Sequence, residues 1–253
     1  TMCWDQRVEP VLGGAIGGFG GFGRGSGNAD IEGVPTPPPA PGYLSRDICE
    51  TEEDGPSGDA GPFVRPGSYH VELVVEGEVV DSESMTIVMD SEVRLSGQER
   101  IAYDNVANDL HEVQRSGQHM YSILAQVHEE VTSAVDQMQD SEVPEALKAD
   151  FDSFQEAWDE ARVKFGVPRQ QGGRRFGGGQ ANPENVFGQV SGLKDEVLAF
   201  WEPPSDALIA RYYDARPALE AALEKAENVL GLARTMSARL AEAGISMTVP
   251  EGH

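Results

Sequence analysis

Three histidines, His111, His119 and His128, lie on one helical stretch and are the first residues whose spacing could hold a metal. A zinc helix needs a second imidazole four residues after the first. "HEEVT" has Thr132 at that place and "HEVQR" has Arg115, so neither run is a zinc motif. All three stand beside apolar seam positions and not on them, which predicts solvent-facing side chains. "GRGSGN" and "GQVSGL" both place serine out of register for a Gly-x-Ser-x-Gly nucleophile turn. Cys3 and Cys49 have no assignable histidine partner and no helix N-terminus to activate a thiolate. With 43 Asp and Glu residues, no single carboxylate pair stands out as a glycosidase or calcium site. The expectation is a chain without catalytic residues, cofactor or metal.

"AIGGFGGFGRGSG" contains Gly18-x-Gly20-x-x-Gly23, the spacing of a dinucleotide-binding turn. That chemistry requires a strand before the turn and a helix after it, whose N–H groups hold the pyrophosphate. Here more glycine follows, then "GVPTPPPAPG", whose prolines forbid a helix. The stretch reads as a low-complexity loop. Ile16, Phe19 and Phe22 are its candidates for docking on a neighbouring surface. The other glycine-rich run, "PRQQGGRRFGGGQANP", carries Arg169, Arg174, Arg175 and Phe176 and is the only dense basic spot. It reads as a solvated loop that could meet an acidic partner.

The elements that would position such groups follow from composition and periodicity. A chain of 253 residues can bury one respectable core or two modest ones. Its formal net charge of -24 opposes nucleic-acid binding, which rests on clustered Lys and Arg. No apolar run is long enough to span a bilayer. The opening "TMCWDQR" reads as the inside of a protein, so the chain is expected to be a C-terminal piece. If Cys3 and Cys49 pair, the bridge closes a long Gly/Pro-rich segment and contributes roughly 4 kcal/mol on the chain-entropy view. Two unrelated free thiols are the alternative at this point.

"SYHVELVVEGEVVDSESMTIVMD" is the clearest β signal. Tyr69, Val71, Leu73 and Val75 alternate with His70, Glu72 and Val74, predicting half-buried antiparallel strands over Ser68 to Asp90 with a turn at Glu76-Gly77. "TMCWDQR" suits one more strand. Strands this few make a small β-sandwich, or part of one completed by residues before Thr1.

From about Ser96 the period becomes helical. Val106, Leu110, Val113, Gly117, Met120, Leu124, Val127, Val131, Ala134 and Met138 recur at alternating spacings of four and three, a heptad seam on one long helix. A second seam joins Leu147, Phe151, Phe154, Trp158, Ala161 and Phe165, begun near Ser141 and stopped by Gly166 and Pro168. A third begins at Asn182 as N-cap with Pro183 as first helical residue, and carries Val186, Val190, Leu193 and Val197. A fourth begins at Ser205 and runs from Leu208 to Ala243, with Pro217 expected to kink or restart it. Gly117, Ala226 and Ala233 on the seams predict close helix approach. Four amphipathic helices cover one another best as an antiparallel bundle. The reading is α+β: a β domain over 1–92 with an insert at about 11–62, then a four-helix bundle over 96–245 with a loop at about 167–181.

In order, "CWDQRVEP", a Gly/Pro-rich insert, "AGPFVRPGSYHVELVVEGEVVDSESMTIVMDSEV" and a long-helix region resemble the C-terminal region of large secreted bacterial proteins with sortilin-like BNR-repeat β-propellers, described as glycosyl-hydrolase-like. The matching residues are Trp4-Asp5, Arg7, Pro10, Gly61-Pro62, Pro66-Gly67, Tyr69 and Gly77; Gln6 stands where leucine is usual, and the propeller is not in this chain. The resemblance implies an immunoglobulin-like β-sandwich, similar to that of the flagellar hook-capping protein, followed by helices. It further implies a secreted, periplasmic or cell-surface protein, so that Cys3 and Cys49 are expected to be joined, since disulfides persist outside the cytoplasm. Any catalytic residues would lie on the propeller. The functional expectation is a non-catalytic structural and interaction module whose partner is its own upstream propeller, a partner chain or a second copy. The alternatives are an accessory region of an extracellular glycoside hydrolase, and an extracellular polymer- or partner-binding module.

Overall fold

The computed structural model describes residues 6–11, 60–168, 182–199 and 201–250. They form a mixed α+β structure of two strands and four helices: β1 (Gly67–Val75), β2 (Glu78–Ile87), α1 (Gly97–Gln139), α2 (Glu145–Lys164), α3 (Val186–Leu198) and α4 (Asp206–Glu242).

β1 and β2 form an antiparallel hairpin in which Tyr69 faces Met85, Val71 faces Glu83 and Leu73 faces Asp81. Its turn places both Glu76 (φ 53°) and Gly77 (φ 87°) in the left-handed region, the backbone that lets a two-residue turn follow the twist of its strands. A register shift after Leu73 pairs Val74 with Val79 and leaves Val80 as the extra residue of a bulge. The strands therefore stand where the period-two pattern puts them. Their apolar side chains, expected to be half-buried, are instead largely open: Val71, Leu73, Val74, Val75, Val79 and Val80 are 48–57 % exposed. Only Tyr69, Met85 and Ile87, toward the base, are partly covered. A two-stranded ribbon has no second sheet of its own to cover it.

The hairpin base is tied to residues 6–11. Arg7 and Phe63 form an isolated antiparallel bridge, supported by Val8 N–H to the Pro62 carbonyl (3.0 Å) and Val64 N–H to the Gln6 carbonyl (2.9 Å). The chains approach so closely that a Cβ on Gly61 would lie 2.1 Å from the Val8 oxygen. Only glycine fits there.

Helix ends follow local chemistry. Ser96 and Glu99 make a reciprocal capping box at the start of α1. α2 and α4 both end on a left-handed glycine, Gly166 (φ 77°) and Gly244 (φ 79°). In each the next two N–H groups turn back onto the last carbonyls: Val167 to Arg162 and Gly166 to Val163, Ile245 to Leu240 and Gly244 to Ala241. α3 starts later than expected. Asn182 only accepts the Glu184 N–H of a preceding turn, while Asn185 accepts from Gly188 and is the N-cap. Its amide wedges between Gly166 and Gly188, where a Cβ on either would come within 2.6 Å. α2 begins after Pro144, which is its N-cap. Pro217 does not restart the last helix, which is continuous. It lies on the exposed side, one turn after the exposed Tyr213, so the carbonyl it leaves without a donor can turn to water.

α1 packs on α3 and α4, and α2 packs chiefly on α4. The four expected seams close over one apolar core in which Leu124, Trp158, Ala226, Ala233, Leu219 and Leu240 have no exposed surface. Gly117 allows a close approach: Phe187 of α3 lies over it, 2.4 Å from where a Cβ would stand. Two of the three helical histidines depart from expectation. His119 is exposed, but His111 and His128 are buried. α1 is contacted from more than one side, so positions flanking its seam are covered as well.

Candidate interaction surface

The hairpin carries six of the exposed large apolar side chains among the described residues. Cross-strand neighbours share a face. One side therefore carries Tyr69, Val71 and Leu73 on β1 against Met85, Glu83 and Asp81 on β2. The other carries Ser68, His70 and Glu72 against Thr86, Ser84 and Ser82, and is polar up to the Val74–Val79 pair beside the turn. Between Gly67 and Ile87 there are five carboxylates and no lysine or arginine. The apolar row is thus bordered by acid.

This face is held on a built mount. The Arg7 guanidinium lies 3.7 Å from the Phe63 ring centre and donates to the Gly61 carbonyl at 2.8 Å. Phe63 stacks on Trp201 (5.2 Å), Trp201 stacks on Tyr103 of α1 (5.5 Å), and Arg100 covers Trp201 from 4.6 Å. Arg100 is itself paired with buried Asp104 at 2.8 Å, and Arg65 joins that carboxylate from outside at 3.6 Å. Alternating guanidinium and ring planes attract through the ring quadrupole. The hairpin base is thereby fixed to α1 and to the segment before α4.

The other chemically marked place is buried. Lys194 of α3 has no exposed surface. Its Nζ lies 3.1 Å from His111 Nδ1 and 2.5 Å from Gln114 Oε1. Gln114 Nε2 donates onward to Ser191 (3.3 Å), and His111 Nε2 meets the Glu9 carbonyl at 2.9 Å. A carbonyl only accepts, so Nε2 carries the hydrogen and Nδ1 is the acceptor. Burial, then the positive charge of Lys194, lowers the His111 pKa to about 4. Elsewhere, burial and the hydrogen bond to Asp109 (2.8 Å) push Tyr212 up to about 12. Beside this cluster an open groove of about 290 Å³ is lined by Glu9, Val11, Arg115, Gln118, His119 and Ser122. Lys194, His111 and Gln114 satisfy one another and are buried.

Among the described residues no group of three His, Cys, Asp or Glu side chains could hold a metal ion, and no helix is long and apolar enough to cross a membrane. Cys3, Cys49, Ile16, Phe19, Phe22, Arg174, Arg175 and Phe176 lie outside the described residues, as do Gly18, Gly20 and Gly23. Of the residues that carry the resemblance, Arg7 and Gly61, 54 positions apart, are brought into contact. The Lys194 cluster had no sequence signal beyond a lysine following the seam residue Leu193. No family model, curated protein or solved structure matches the chain.

Proposed function

We propose that this chain is a non-catalytic structural and interaction module from the C-terminal region of a secreted or cell-surface β-propeller protein, and that it engages its neighbour through the apolar face of the β1–β2 hairpin. In this reading the hairpin is the chain's share of an immunoglobulin-like sandwich whose covering strands come from that neighbour, and the helices are an antiparallel four-helix bundle that carries it. The observation behind it is an exposed row of Val71, Leu73 and their neighbours on a base fixed by Phe63, Trp201 and Arg100. A contiguous apolar patch on an ordered mount marks a contact surface more often than an idle one. The order of motifs around Arg7, Gly61-Pro62 and Pro66-Gly67 supports the placement beside a propeller.

Photo-crosslinking tests the reading. A benzophenone side chain introduced at Leu73 in the propeller-bearing protein is expected to join one defined peptide, and the same group at Glu224, exposed on α4, is expected to join none. Equal, scattered products from both positions would contradict it.

A further inference from the structure

The proposed docking face also carries information about what it docks, an inference that rests on the reading above. Two acids, Asp81 and Glu83, lie on the apolar face itself, directly opposite Leu73 and Val71. Any surface that covers Val71 and Leu73 must therefore cover these carboxylates too. Burying a carboxylate without a partner is costly, and burying it beside another carboxylate more so. A second copy of this chain laid face to face would bring four carboxylates into one dry contact with no lysine or arginine from either hairpin to meet them. Net charge of -24 on each copy adds to the repulsion. An anionic lipid surface is opposed on the same ground.

We propose that the hairpin face receives a polypeptide surface of opposite character: an apolar ridge that covers Tyr69, Val71 and Leu73, flanked on one side by Lys or Arg residues that meet Asp81 and Glu83. The two carboxylates are two residues apart on one strand, on the same side, so they stand roughly 7 Å from each other. The partner's cations must match that spacing, as alternate residues of a strand or neighbours one turn apart on a helix do. Apolar contact supplies the attraction, while the acid row rejects neutral and acidic partners and fixes the register.

Three synthetic peptides of equal length serve as probes on the intact chain: alternating Val-Lys, alternating Val-Glu, and alternating Gly-Lys. Binding is followed by amide resonances at about physiological salt, where long-range attraction is screened. The Val-Lys peptide is expected to saturate and to move the resonances of Val71, Leu73, Asp81 and Glu83. Asp81→Asn/Glu83→Gln should weaken it by up to about tenfold, Val71→Ser/Leu73→Ser should weaken it also, and Glu224→Gln/Glu227→Gln on α4 should leave it unchanged. Equal binding of the Val-Glu peptide at the same residues would overturn the charge requirement while leaving the docking face standing. Binding of Gly-Lys as tight as Val-Lys, or equal loss in the α4 variant, would overturn it as unspecific attraction to an acidic protein. If no peptide moves the hairpin resonances, both this inference and the reading it rests on fall.

Discussion

The Lys194 ammonium nitrogen lies 3.1 Å from His111 Nδ1, with both side chains buried between α1 and α3. This pairing holds only while the imidazole is neutral. A proton on Nδ1 would remove the acceptor and set two cations side by side, with the Arg115 guanidinium already 3.3 Å from Nε2.

Stability is therefore expected to depend on pH through His111. Its pKa is about 4 in the folded chain, against about 6.5 when unfolded. Between those values the unfolded chain takes up a proton that the folded chain refuses. The contribution is complete above about pH 6.5, declines as pH falls toward 4, and amounts to roughly 3 kcal/mol at most. Urea midpoints of the wild type and His111→Asn, compared from pH 7 to 4.5, check this. The wild type should lose more stability than the variant across that window; parallel curves would exclude the pairing.

Two glycine substitutions are expected to have opposite signs. In Gly117→Ala the new methyl meets the Phe187 ring at 2.4 Å, and overpacking should cost about 1–3 kcal/mol, outweighing the helix-propensity gain. In Gly231→Ala the methyl meets nothing within 4 Å, so only the gain of up to about 1 kcal/mol remains. Thermal or urea denaturation of the two variants decides it.

The mount under the hairpin is expected to act as a coupled pair. Phe63 and Trp201 stack at 5.2 Å, and a double-mutant cycle of Phe63→Leu and Trp201→Leu should return a coupling of about 0.5–1.5 kcal/mol. Additive losses would show that the rings merely share a neighbourhood.

Much of this architecture was legible because burial of a helix repeats along its own sequence. Leu124, Trp158 and Leu219 fall on spacings of three and four, and all three are fully buried. Capping chemistry is equally local, which is why Ser205 marked a true helix start. The cap expected at Asn182 falls instead on Asn185, whose amide packs against Gly166 and Gly188. The burial of Lys194 was not legible, because its partners Gln114 and His111 come from 80 and 83 residues away. His111 and His128 were misplaced for a related reason: a seam names the centre of a buried face, not its width. In the hairpin, alternation told which side is apolar but carried no information about whether anything covers it.

Hydrogen exchange at β1 tests the docking account most directly. In this chain alone, the amides of Val71 to Val75 are expected to exchange far faster than those around Leu219 in α4, because the hairpin lies open. In the propeller protein proposed as its parent, the same β1 amides should slow by about a hundredfold or more as the face is covered, with α4 unchanged. Identical β1 exchange in the two samples would contradict the claim that this hairpin is a docking surface.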